Sequence, residues 1–94
     1  MAKRIILESY TFDPGSKTIV INGKYLRMEQ VILITNVTKS TVLFNFADAN
    51  YRAASWSATT TDNVETTTIV LDPGTSTTGM LNTDKLSILV EESN

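Results

Sequence analysis

Apolar residues are densest between Val31 and Phe46, where the runs Val31-Ile32-Leu33-Ile34 and Val42-Leu43-Phe44 flank a polar pair, Lys39-Ser40, with Thr on either side. Two β-branched and aromatic runs around a short polar break predict an antiparallel hairpin. Strand side chains alternate between faces. That period puts Val31, Leu33 and Val37 on one face of the first arm and Ile32 and Ile34 on the other. On the second arm Val42, Phe44 and Phe46 share a face, opposite Thr41, Leu43 and Asn45. The first arm is apolar on both faces near its start, which predicts an interior place in its sheet. The hairpin is therefore predicted as the core, with the other strands added around it.

Arg4 to Phe12 predicts a first strand, although neither parity is cleanly apolar. Asp13-Pro14-Gly15-Ser16 follows, and Pro then Gly in the middle of four residues predicts a type II turn. Lys17 to Ile21 then predicts a second strand, so that residues 4–21 form a hairpin. Asn22-Gly23 ends it. The stretch Lys24 to Gln30 has helix formers and no β-branched residue; it predicts a loop with one helical turn, or alternatively a short strand over Lys24-Tyr25-Leu26. Beyond Phe46, Ala47 to Ser55 reads as a surface loop and Trp56 to Thr59 as a short strand. Thr60-Thr61-Asp62-Asn63 predicts a turn, Glu65 to Leu71 a strand, and Asp72-Pro73-Gly74-Thr75 a second turn of the Asp-Pro-Gly kind. After a loop over Ser76 to Asn82, Leu86 to Val90 predicts the last strand, with Leu86, Ile88 and Val90 on one face. Six or seven short strands at this spacing predict an all-β fold: a small antiparallel β-sandwich, Ig-like or jelly-roll-like, spanning residues 1–94 as a single domain.

Composition agrees and narrows the function classes. Hydrophobic residues make up 41% of the 94 and charged residues only 19%. Thr and Ser fill the difference, as suits the wet side of a pleated sheet. A net charge of -2 supplies no basic field for nucleic acid or for an anionic membrane. There is no cysteine, hence no disulfide to reinforce so small a core, which leaves neighbouring subunits as a route to stability. The apolar run at Ile5-Ile6-Leu7 is far shorter than the ~7–15 residues of a signal-peptide core, and no run approaches the ~18 residues of a membrane span. The expectation is a chain without a cleaved export signal.

The catalytic vocabulary is thin. With no histidine and no cysteine, Ser-His-Asp and Cys-His nucleophiles and imidazole or thiolate metal sites cannot be built, and no spacing favours a Ser-Lys pair. Asp13, Asp48, Asp62, Asp72 and Asp84 all fall in predicted loops. They lack the short-range alternation of a calcium loop and read as turn formers that bond their own backbone. The expectation is no enzyme, no cofactor and no metal. Asn36-Val37-Thr38 matches the glycosylation acceptor pattern, but it lies on a predicted strand and reads as a chance match.

Two groups of residues are candidates for contact with a partner. Tyr51, Arg52 and Trp56 are the residue types that anchor interfaces and stack on sugars; the alternative is that Trp56 plugs an end of the sandwich with Tyr51 over it. The first predicted strand carries Lys3 and Arg4 at its start and the last ends in Glu91-Glu92. Charges on outer strands are a device against uncontrolled edge pairing, and opposite-signed ends could set the register of one subunit against the next.

Lys24-Tyr25-Leu26-Arg27, Val31 to Thr38 and Asn45-Phe46-Ala47-Asp48 together resemble a pattern in small domains of tailed-bacteriophage virion structural proteins. The likeness continues through Glu65 to Leu71 and Thr83 to Glu92, and so covers most of the chain. That family commonly has Pro after the Asn-Phe-Ala-Asp segment, where Ala49 stands here. The resemblance implies a non-enzymatic virion component made in the host bacterial cytoplasm. It would assemble in many copies as a homo-oligomer on capsid, neck or tail proteins. The alternative it leaves open is a receptor- or glycan-binding module of a fibre or baseplate, using Tyr51, Arg52 and Trp56.

Overall fold

The computed structural model describes residues 2–7, 9–27, 30–47 and 53–92, with side chains from Ile5 to Glu91 within those ranges. Eight strands form: β1 (Ala2–Ile6), β2 (Tyr10–Asp13), β3 (Thr18–Asn22), β4 (Val31–Asn36), β5 (Thr41–Asn45), β6 (Ala53–Thr61), β7 (Val64–Leu71) and β8 (Leu86–Glu92). They make two four-stranded antiparallel sheets, ordered β1-β8-β4-β5 and β2-β3-β7-β6. This is the small sandwich predicted from the alternating apolar pattern. The inward sides of both sheets supply the core: Val31, Ile34, Leu43, Phe44, Leu86, Ile88 and Val90 from one, Phe12, Ile19, Ile21, Ile69 and Leu71 from the other. Each such side chain contributes about 1.5–3 kcal/mol on leaving water.

The strand count exceeds expectation because the predicted strand from Arg4 to Phe12 divides. Its first part pairs with β8 in one sheet, its second with β3 in the other. Ser9 stands at the corner with φ of 64°, and its carbonyl accepts from Asn22 N–H at 2.8 Å. A strand that changes sheets needs such a bend, which explains why neither parity reads cleanly along it. The hairpin over residues 4–21 is thus confined to β2 and β3.

The predicted central hairpin is present as β4–β5, and β4 lies inside its sheet between β8 and β5. Its predicted faces are broken by two bulges. Val31 faces Val90 and Leu33 faces Leu89, so Ile32 is an extra residue; Ile34 faces Phe44 and Thr35 faces Val42, so Leu43 is another. A bulge lets consecutive residues change sides. Leu43 and Phe44 are consequently both buried, and Phe46, predicted to share Phe44's face, is 54% exposed.

The turns also differ from expectation. Neither Gly15 nor Gly74 has a positive φ, so the Asp-Pro-Gly turns are not type II. The left-handed residue is instead the last of the four that join each strand pair: Lys17 (φ 56°) in β2–β3 and Ser40 (φ 53°) in β4–β5. The glycines serve the aspartates. Gly15 N–H donates to Asp13 Oδ1 at 3.0 Å and Gly74 N–H to Asp72 Oδ1 at 2.8 Å. A Cβ at either glycine would stand only 3.3 or 3.1 Å from that oxygen. The two turns adjoin, with Lys17 Nζ donating to Pro73 O at 2.6 Å and Thr77 Oγ1 to Pro14 O at 2.8 Å. In β6–β7, Asp62 (φ 53°) and Asn63 (φ 64°) lie between paired Thr61 and Val64, the two-residue type I′ hairpin.

Two polar devices close the sandwich. The segment Lys24–Arg27 does not form the strand considered for it: it crosses an end of the fold and drops Leu26 into the core, and Gln30 N–H donates to Arg27 O at 2.9 Å, the single helical turn expected ahead of β4. Buried Thr67 holds it, its hydroxyl accepting from Leu26 N–H at 2.8 Å and donating to Lys24 O at 2.7 Å. In the same register row as Thr67, Tyr10 bridges the sheets, its hydroxyl accepting from Leu86 N–H at 2.7 Å.

Candidate assembly surfaces

The outward side of the β1-β8-β4-β5 sheet is unexpectedly apolar. Buried Leu86, Ile88 and Val90 alternate along β8 with Ser87, Leu89 and Glu91, which therefore point outward. Ile5 of β1 is the register partner of Leu89, and Leu33 of β4 lies opposite it on the other side. An Ile5–Leu89–Leu33 row thus crosses three strands outside the core, with Ile5 59% exposed. Leu7, past the end of β1, is 63% exposed. Toward one end Lys3 and Glu91 are register partners; toward the other Ser87 and Thr35 face one another. Apolar side chains ringed by polar ones are the anatomy of an interface. The sequence signal was the same unbroken apolarity that placed the strand interior: Ile88-Leu89-Val90 and Val31 to Ile34 are apolar on both parities.

The other sheet's outward side is charge-poor in a different way. Successive register partners Thr11, Val20, Thr68 and Ser57 cross all four strands, beside Val70 with Ser55 and Thr66 with Thr59. Asp13 alone brings a charge to that side within the paired strands, at the margin beside the turn. β6 forms its outer edge and is longer than expected: Ala53 to Ser55, predicted as loop, belong to the strand, as do Thr60 and Thr61.

Trp56 is half-buried on β6. Its ring lies 5.7 Å from Phe44, tilted by 49°, and its indole N–H donates to Leu26 O at 2.9 Å. This is the plugging role considered for it, and it commits the polar atom that a ligand would use. Tyr51 and Arg52 lie outside the described residues. Lys3 and Arg4 fall on β1, an outer strand as expected. Glu91 and Glu92 do not end an outer strand: β8 lies between β1 and β4, because β1 adds alongside it. Lys3 and Glu91 therefore meet within one chain at the level of backbone register.

Among the described residues no group of three acidic side chains converges as a metal site would need. Asp84 is buried for a different purpose. Its Oδ2 accepts from Asn36 Nδ2 at 2.9 Å and from Leu81 N–H at 3.2 Å. The Asn36 hydrogen bond, then the Leu81 N–H and the Lys39 charge, hold its carboxyl below the ordinary value of 3.8 against the opposing effect of burial. Asn36 is fully buried and its Oδ1 accepts from Lys39 N–H at 3.0 Å; the apparent glycosylation acceptor is a structural residue. An open groove of about 660 Å³ lies at the β1–β2 corner between Ile5, Leu7, Ser9, Asn22 and Lys24. Lys24 is the one ionisable side chain among the described residues lining it.

No protein-family model matches the chain, and no characterised protein or solved structure matches it.

Proposed function

We infer that this domain is a non-enzymatic structural component of a tailed-bacteriophage particle, present in many copies and acting by assembly with virion proteins. The observation that carries the assembly part is the Ile5–Leu89–Leu33 row on the outside of a sandwich. Outward positions on a free-standing sheet favour polar residues, and contiguous apolar surface of this kind marks a contact site. The virion part rests on the resemblance of the strand segments to phage structural domains. Head decoration, neck and tail positions all accord with it. The glycan-binding alternative draws no support from Trp56, whose indole N–H and ring face are already engaged within the fold.

Imaging of purified particles from the source virus, with an antibody or gold label directed at this chain, tests the reading. Periodic labelling of head, neck or tail is the expected result. Particles that lack the chain, with the protein found free in infected cells, would overturn it.

A further inference from the structure

The four sheet edges differ in how they guard their unpaired backbone groups. β1 carries Lys3 and Arg4, β2 has four residues and ends at Asp13-Pro14, and β5 is broken by the Leu43 bulge. Charges, brevity, Pro and bulges are the standard defences of an exposed edge. β6 has fewest of them. It runs nine residues as Ala-Ala-Ser-Trp-Ser-Ala-Thr-Thr-Thr, with no charge and no Pro, and its one irregularity is confined to the Ala53–Ser55 end.

The register identifies which of its backbone groups are free. Glu65 O accepts from Gly23 N–H, and Leu71 N–H donates to Lys17 O, so odd-numbered residues of β7 direct their peptide groups away from β6. Their partners Thr60, Ala58 and Trp56 must then direct theirs away from β7. Among the described residues no backbone bond reaches these groups from the open side.

We propose that β6 pairs antiparallel with the β6 of a second copy about a two-fold axis at Ala58, joining two sheets edge to edge into one. This rests on the assembly reading above and names one of its contacts. The free groups are spaced evenly about Ala58, so the axis sets Ala58 opposite itself and Trp56 opposite Thr60 of the copy, each pair exchanging two hydrogen bonds. Ser57 then faces Thr59 of the copy, and Ser55 faces its Thr61. No like charges meet anywhere along the strand. The partner must offer an unguarded edge of matching length, and β6 is itself the one long unguarded edge among the described strands. Main-chain pairing of this sort is an established mode of association.

Sedimentation equilibrium of the purified chain tests the pairing. A mass twice the 10.4 kDa of the chain is expected. Ala58→Pro removes a free N–H without touching the β7 ladder, a position where edge strands accept Pro; it should give monomers with an unchanged circular dichroism spectrum. Ser57→Lys with Thr59→Lys should also give monomers, because lysines meet across the axis. Ser57→Lys with Thr59→Glu should restore the dimer, because opposite charges then meet. A wild-type chain that stays monomeric at millimolar concentration, or a dimer that survives both Ala58→Pro and the double-lysine variant, would overturn the proposal. Either result leaves the virion reading to stand on particle labelling alone.

Discussion

The hydroxyl of Thr67 lies within 2.8 Å of Leu26 N and 2.7 Å of Lys24 O, bonding both while fully buried. One side chain on β7 thereby satisfies two backbone groups of a segment that has no ladder of its own. Thr67→Val keeps the shape and strands both groups, which costs about 2–3 kcal/mol. A fall in the urea unfolding midpoint at unchanged slope should report it. Thr67→Ser, which keeps the hydroxyl, should recover most of the loss. Equal stability of the Val variant and wild type would remove the clamp from the account.

Tyr10 belongs to one sheet and bonds Leu86 N–H in the other. Tyr10→Phe leaves the ring packed and the N–H without its acceptor, at a cost of about 1–2 kcal/mol. For a domain of this size that corresponds to a melting temperature lower by roughly 4–16 °C, measurable by circular dichroism.

Asp84 predicts an acid-sensitive fold. Its carboxyl is held below 3.8 in the folded chain, so its ionised form stabilises the fold in full above the unfolded value. That contribution is lost as pH falls from about 3.8 through the lower folded value. Melting temperatures of wild type should therefore drop on acidification in this window. Asp84→Asn should flatten the drop, since no proton is taken up at that site. Parallel pH profiles for the two proteins would show that Asp84 does not contribute.

The outward apolar row should matter to contact more than to folding. Leu89→Thr keeps strand propensity and removes apolar surface from the middle of the row. The change in unfolding free energy should stay near or below about 1 kcal/mol, while, on the virion role proposed above, attachment of the added protein to particles lacking it should be lost. Loss of stability without loss of attachment would assign Leu89 to the fold instead.

Much of the architecture is legible from residue order because it depends on local chemistry. Alternation in Thr18 to Ile21, Thr66 to Leu71 and Leu86 to Val90 identifies strands and their buried sides. The Asp-Pro-Gly segments identify turns, though not their type, since the left-handed residue is set by the loop length between paired strands and falls on Lys17 instead of Gly15. Ala53 to Ser55 were invisible as strand because small residues carry little β signal; pairing with β7 decides them. Of the contact candidates, Lys3, Arg4, Trp56, Glu91 and Glu92 could be singled out by type. The row of Ile5, Leu89 and Leu33 could not, because nothing along the chain says that these three share a side of one sheet.

The sequence by itself determined that the chain is all-β, that residues 31–46 form a hairpin with an interior first arm, and that no histidine or thiol chemistry is available. Each follows from side-chain type and spacing alone. The tertiary structure decided which sheet each strand joins. It split the first strand at Ser9, placed β8 beside β1 and drew Glu91 inward from the edge. It also put bulges at Ile32 and Leu43 and left β6 as the long open edge among the described residues. Those outcomes depend on backbone hydrogen bonds between residues far apart in sequence, and every residue offers the same N–H and C=O to that competition. Side chains therefore announce strands, while the pairing of strands is settled only when the two sheets close on a common core.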